Sequence, residues 1–260
     1  MKKILFTLLA MMSVIYAGAQ TREIERHIGE IKGGYNYLMA RPLNTDTLKP
    51  MVIFLHGSSL RGKDLDRVKK YGSIKAVMNG VDIDAYVVAP QLPSGSWDPV
   101  KIKEVLDYVA NHNNVDDNKI YLIGMSLGGA GVFNYGRVFP ESIAAAIAVA
   151  GGGTSGDMGE LNKLPLWVIH GIADNEVGIF KSDRVVKSMK ARDPKTPRLV
   201  YDRVPGADHD KPIRLFMIPE FYDWLFLHSL DEEGRPIHPT FKIDKELLDH
   251  AYDGLTITRN

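Results

Sequence analysis

Ser126 stands between two glycines in Gly124-Met125-Ser126-Leu127-Gly128, with a third, Gly129, directly after. A serine hydroxyl is a weak nucleophile unless it is presented clear of the backbone beside a base. The pattern acquires meaning from its setting. The apolar run Ile120-Tyr121-Leu122-Ile123 precedes it and a helix-like segment, Ala130 to Phe139, follows. A sharp strand-to-helix turn there would expose the Ser126 hydroxyl. Small residues on either side let the chain turn without Cβ clashes and bring the new helix close to the sheet. The first N–H groups of that helix, beginning with Leu127, would then face an oxyanion formed at the serine.

A nucleophile of this kind needs a base and an acid to orient it. His209 lies in Pro205-Gly206-Ala207-Asp208-His209-Asp210, just after the apolar segment that ends at Val204, and is the candidate base. Of the eight histidines it alone combines a post-strand loop with a position after the acid. His27 precedes the core, His56 and His170 come too early, His112 and His228 sit near helix ends, and His238 and His250 fall in the tail. Asp174, in the loop after Leu166-Trp167-Val168-Ile169, is the candidate acid, with Glu176 on the same loop and Asp157 on an earlier one as alternatives. The run Met51 to Leu55 leads into His56-Gly57-Ser58-Ser59. Gly57 permits close approach of the backbone, and the Ser58 N–H would join that of Leu127 as the second oxyanion donor. His56 reads as a supporting hydrogen-bond residue.

The elements that must position these groups alternate along the chain. Short strands are expected within Glu30 to Leu38, then strands at Met51–Leu55, Ala85–Ala89, Ile120–Ile123, Ile143–Val149, Leu166–Ile169 and Arg198–Val204. Helices are expected at Asp64–Met78, Pro99–Asn111 with Asp98 as its cap, Ala130–Phe139, Lys181–Lys190 and Ile213–Leu227. Continuous apolar runs suit strands covered on both faces. Their alternation with helices predicts an α/β fold with a mostly parallel central sheet and helices on both faces. In such a sheet, function gathers in the loops at the carboxyl ends of the strands, where Ser126, Asp174 and His209 all fall. Gln91 and Trp97, on the loop after Ala89, are the candidate substrate-binding residues, and Trp97 is expected either to wall a substrate cleft with an aromatic face or to pack beneath the next helix. Gly151-Gly152-Gly153 lacks the lysine of a phosphate loop and reads as a loop at the edge of the site.

Thirty-two basic residues balance thirty-two acidic ones, so no global field favours a polyanion, and nucleic acid is not an expected partner. Without cysteine the chain has neither disulfides nor thiolate chemistry. Lys2-Lys3, the apolar stretch Ile4 to Tyr16 and the small residues Ala17-Gly18-Ala19 read as a secretory signal peptide over residues 1–19, predicting a secreted or periplasmic protein without stable membrane insertion. Residues 20–230 are then one catalytic domain, and 231–260 a C-terminal tail docked on it, with a short amphipathic helix at Asp244–Tyr252.

Taken together, His56-Gly57, Pro90-Gln91 with Ser96-Trp97, Gly124 to Gly129, Gly151-Gly152, His170-Gly171 with Asp174 and Val177, and Gly206 with His209 cover most of Pro50 to Leu227. In this order they resemble the α/β-hydrolase superfamily, and within it secreted esterases described as predicted peptidases, phospholipase/carboxylesterase-like or feruloyl-esterase-like hydrolases. The resemblance implies the α/β-hydrolase fold, a Ser126, Asp174, His209 triad and acyl transfer without cofactor or metal. The chain departs from the pattern where Gly178 follows Val177 in place of a common proline, and where Asp210 follows His209. Both departures bear on the substrate pocket. The expected activity is cleavage of a carboxylic ester, small or polysaccharide-attached, with acylated or feruloylated polysaccharide as first choice. Peptide hydrolysis on the same triad and a non-catalytic binding protein on a hydrolase scaffold are the alternatives.

Overall fold

The computed structural model describes residues 22–152 and 156–255; the expected signal peptide at 1–19 lies outside the described residues. Eight strands form one sheet: β1 (Ile24–His27), β2 (Tyr37–Ala40), β3 (Lys49–Leu55), β4 (Tyr86–Pro90), β5 (Val115–Met125), β6 (Ala145–Val149), β7 (Leu166–Gly171) and β8 (Leu199–Val204). Their spatial order is β1-β2-β4-β3-β5-β6-β7-β8. Only the pairs β1/β2 and β2/β4 are antiparallel; from β4 to β8 every pair is parallel. This is the α/β-hydrolase fold.

The apolar runs are continuous because each strand feeds two cores. Side chains alternate across a strand, so Val52 and Phe54 join Tyr121, Ile123, Ile147, Val149 and Trp167 on one face. Met51, Ile53 and Leu55 join Ile120, Leu122, Ala146 and Ala148 on the other. Three helices, α1 (Ser73–Met78), α5 (Pro219–Phe226) and α6 (Lys245–Asp249), cover the first face through Ile74, Phe221, Trp224 and Leu248. The second face is covered by α2 (Pro99–His112), α3 (Leu127–Val138) and α4 (Phe180–Arg192), through Ile102, Val105, Val132, Phe133, Val185 and Met189. The Asp98 carboxylate caps α2 by accepting the Val100 N–H, with Pro99 at its first position.

Three expected elements differ. The early strands form at Ile24–His27 and Tyr37–Ala40, on either side of a turn in which Gly29 and Gly33 have positive φ. The helix expected over Asp64–Met78 breaks into a 3-10 turn at Leu65–Lys69 and α1. Gly72 between them has φ +87°, and a Cβ there would overlap the Phe54 ring, so the helix cannot run through. The helix expected over Ile213–Leu227 splits into a 3-10 turn, Lys211–Met217, and α5, which starts at Pro219 because proline has no N–H to give the preceding turn. Beyond Ser229 the chain lies against the α5 side. Phe241 meets the Trp167 ring edge-on at 5.2 Å, and Leu248 and Ala251 are buried.

Candidate active site

Ser126 closes the gap between β5 and α3 with φ 57° and ψ −116°, a backbone region that L residues enter only when their surroundings force it. The turn is held by the Ser126 N–H donating to the Val149 carbonyl at 2.9 Å and by the Ala130 N–H donating to the Ser126 carbonyl at 3.0 Å. The glycines are needed for contact as much as for conformation. A Cβ on Gly124 would overlap the Gly128 carbonyl, one on Gly128 would overlap the Leu55 carbonyl, and one on Gly129 would come 2.8 Å from Gly151 Cα. The helix start is thus pressed onto the ends of β3, β5 and β6, and the serine side chain is left to point outward.

The loops after β7 and β8 meet it. The Ser126 hydroxyl lies 3.0 Å from His209 Nε2, and His209 Nδ1 lies 2.7 Å from Asp174 Oδ2. The Asp174 side chain is fully buried, and its other oxygen accepts the N–H groups of Glu176 at 2.9 Å and Val177 at 2.8 Å. Burial pushes this carboxyl up, but the hydrogen bonds from His209 and from the Val177 and Glu176 amides outweigh it and hold Asp174 below the usual carboxylate range. An ionised Asp174 fixes the His209 proton on Nδ1 and leaves Nε2 free to accept from Ser126. The alternative acids are placed elsewhere. Asp157 pairs with Arg192, and Glu176 is largely exposed with Oε2 4.0 Å from His209 Nε2.

Both expected oxyanion donors open a helical turn, Ser58 that of Ser58–Leu60 and Leu127 that of α3, so neither N–H has a partner within its own helix. Gly57 brings the first turn close: a Cβ there would stand 3.2 Å from Ser126 Cβ and 2.7 Å from the Tyr71 hydroxyl. Ser58, Ser126, Leu127, Val177, Lys181 and Arg184 line a cleft of about 360 Å³. A larger depression of about 490 Å³ lies against α6 and contains none of these groups.

Gln91 and Trp97 do not line this cleft, which corrects their expected role in substrate binding. Trp97 is 3% exposed; its indole N–H donates to the His56 carbonyl at 3.0 Å and its ring meets His56 edge-on. The buried Gln91 amide donates to the Leu60 and Gly62 carbonyls, each at 2.8 Å. Both brace the turn carrying Ser58 from behind, because β4 lies next to β3 and its loop passes beneath that turn. His56 joins them as the expected supporting residue. Its Nδ1–H donates to the Gly57 carbonyl at 2.7 Å and its Nε2 accepts the Leu92 N–H at 3.1 Å. Burial pushes its pKa down to about 4, so the ring is neutral.

Two supports escaped sequence reasoning. Tyr71, whose hydroxyl accepts the Gly57 N–H at 2.7 Å, lies in a stretch whose helical pattern hid it. His170 is wholly buried on β7, with Nε2 2.7 Å from the Val177 carbonyl and 3.2 Å from Asp174 Oδ2, and Nδ1 2.8 Å from the Ser182 hydroxyl. Its place four residues before Asp174 was the available signal.

No protein-family model matches the sequence, and no curated protein sequence matches it. Solved structures do resemble it. A thermostable esterase is 25% identical with a TM-score of 0.66, over 81% of this chain and 64% of that one, so the chain spans under two thirds of that protein's length. The feruloyl esterase module from Clostridium thermocellum, complexed with sinapinate, is 14% identical with a TM-score of 0.61, covering 86% of this chain and 92% of that one. A fluorophosphonate-binding serine hydrolase from Staphylococcus aureus is 17% identical with a TM-score of 0.58, over 78% and 97% of the two chains. The fold is that of the α/β hydrolases. Esterases and a serine hydrolase are among the solved structures that share it.

Proposed function

We propose that the protein is an exported serine hydrolase that cleaves carboxylic esters. The observation that carries this reading is the continuous chain from the Ser126 hydroxyl through His209 to the buried Asp174, at 3.0 and 2.7 Å, opening onto a cleft beside two helix-start N–H groups. As Ser126 Oγ attacks the acyl carbon, its proton passes to His209 Nε2, and the resulting imidazolium is stabilised by Asp174. The carbonyl oxygen becomes an oxyanion facing the Ser58 and Leu127 N–H groups, a contribution of about 3–4 kcal/mol per well-aimed donor. Collapse of this intermediate breaks the ester bond, and the alcohol leaves with the proton from His209. Water, deprotonated by His209, then attacks the acyl-enzyme, and Ser126 recovers its proton as the acid departs.

Acyl or feruloyl esters on polysaccharides are the proposed substrates. Likeness to a feruloyl esterase module supports this choice, as does a cleft that opens at the surface between short loops. Export rests on the N-terminal sequence, Lys2 to Ala19. The test is hydrolysis of a short-to-long p-nitrophenyl ester series and methyl ferulate, with fluorophosphonate labelling, by the wild type and Ser126→Ala. Turnover and labelling that vanish in the variant are expected. A protein that neither reacts with the probe nor cleaves any ester refutes the proposal, and turnover of peptides alone replaces it with a peptidase.

A further inference from the structure

The cleft at Ser126 has a marked charge asymmetry. Of the described residues lining it, only Lys181 and Arg184 are charged, and both are cationic. They stand three apart on α4, on the same helix face. Among the described residues neither has a carboxylate within ion-pair distance. The nearby Asp183 is engaged instead by the Tyr201 hydroxyl at 2.8 Å and by Arg203 at 3.6 Å. The Arg184 guanidinium lies 5.1 Å from the centre of the Phe180 ring, which steadies it without neutralising it. Lys181 is half-buried, its stem against the Gly152 backbone.

Folding alone does not account for this placement. α4 begins without a side-chain cap, and Lys181 in its first turn faces the positive end of the helix dipole, which Asp183 in the same turn complements but the lysine does not. Two more guanidiniums stand by the oxyanion turn. Arg61 and Arg67 donate to the Ser58 and Ser59 carbonyls, again with no carboxylate partner among the described residues. Carboxylates stand instead near His209. Glu176 Oε2 lies 4.0 Å from His209 Nε2, and Asp208 and Asp210 flank the same histidine in sequence.

We infer that the acyl part of the substrate carries a carboxylate, held by Lys181 and Arg184. This rests on the serine-hydrolase reading and narrows its substrate class. His209 Nε2 delivers a proton to the departing alcohol, so the alcohol must pass beside Glu176, where a second anion would be repelled. An anion on the acyl side meets the two unpaired cations instead. The chemical class is an ester of a dicarboxylic acid whose other carboxyl group is free.

The experiment compares mono-p-nitrophenyl glutarate with p-nitrophenyl butyrate, which share a leaving group and differ in the acyl carboxylate. It uses wild type and the double variant Lys181→Met, Arg184→Gln. The wild type is expected to prefer the glutarate ester in kcat/KM by about tenfold or more, chiefly through KM. The preference should shrink as ionic strength rises and collapse toward unity in the double variant. Equal ratios in wild type and variant, or a preference for the neutral ester, overturn the inference. Titration of the Ser126→Ala protein with monomethyl glutarate gives a readout independent of turnover. Saturable binding lost on removing the two cations supports the site, and no binding counts against it. Cleavage of the neutral ester without these effects refutes the anion site alone, whereas absence of both turnover and fluorophosphonate labelling refutes the serine-hydrolase reading.

Discussion

His170 and His209 share one carboxylate oxygen: Asp174 Oδ2 lies 2.7 Å from His209 Nδ1 and 3.2 Å from His170 Nε2. The two rings have different duties. His209 turns its second nitrogen to Ser126, whereas His170 is enclosed between Val177 and Ser182 and has no route to substrate. His170 ties the start of the acid loop to its far side, so that the Glu176 and Val177 amides can face Asp174 Oδ1.

Removing each partner therefore has a distinct effect. Asp174→Asn keeps the shape but loses the charge that fixes the His209 tautomer, and kcat is expected to fall by about 10⁴-fold. His170→Ala leaves the Val177 carbonyl without its buried donor, while the Ser182 hydroxyl keeps the Gly151 carbonyl. This change should cost about 2–4 kcal/mol of stability with a smaller loss of kcat than Asp174→Asn. Urea denaturation and steady-state kinetics on the two variants separate these outcomes; an equal loss of kcat with unchanged stability would contradict this division.

Gly128→Ala would place a methyl group into the Leu55 carbonyl, which belongs to a central strand and cannot move aside. The expected penalty is at least about 3 kcal/mol, a fall in melting temperature of about 10 °C for a chain of this size. Gly206→Ala serves as a comparison, because open space surrounds that position and only its positive φ opposes the change. Thermal melts of the two variants should rank Gly128→Ala as the worse.

Trp97→Phe retains an aromatic ring but deletes the N–H that holds the His56 carbonyl. Loosening the turn that carries Ser58 should lower kcat and cost about 1 kcal/mol of stability. The ranking of p-nitrophenyl esters by chain length should stay the same, since Trp97 does not reach the cleft. A changed ranking would restore it as a pocket wall.

Acid is expected to destabilise the fold in two successive windows. Burial pushes His56 and His228 down to about 4 from an ordinary value of 6.5. In each ring Nε2 accepts a backbone N–H, so protonation would set a second donor against the first. Between pH 6.5 and about 4 the unfolded chain binds these protons and the folded chain does not. Stability is undiminished above that window and falls within it by up to about 1.4 kcal/mol per pH unit for each histidine. Asp174 has the opposite charge but the same sign of effect: with its pKa held below the usual carboxylate range, its stabilising contribution is present above that range and lost as pH falls through its folded value. Denaturation midpoints measured from pH 8 to 4 should decline through the histidine window, and His228→Asn should flatten the decline. A flat profile would show that these rings are not held neutral.

Much of the architecture was legible because the signals were local. Continuous apolar runs marked β3 to β7, since strands covered on both faces have no polar side to interrupt them. The Gly124 to Gly129 turn marked the elbow, and the succession of post-strand loops picked out Ser126, Asp174 and His209. Gly72 and Pro219 were visible too, yet the helical pattern on either side masked the breaks they impose.

The sequence by itself thus determined the layered α/β plan and the loops from which the reactive side chains come, because strand periodicity and turn chemistry act over a few residues. Only the tertiary structure decided what those loops meet. It buried Trp97 and Gln91 beneath the turn carrying Ser58 and seated His170 behind Asp174, and it set Lys181 and Arg184 in the cleft with Ser126. Those relationships depend on strand order in the sheet, which brings together residues far apart in the chain and which no local pattern encodes.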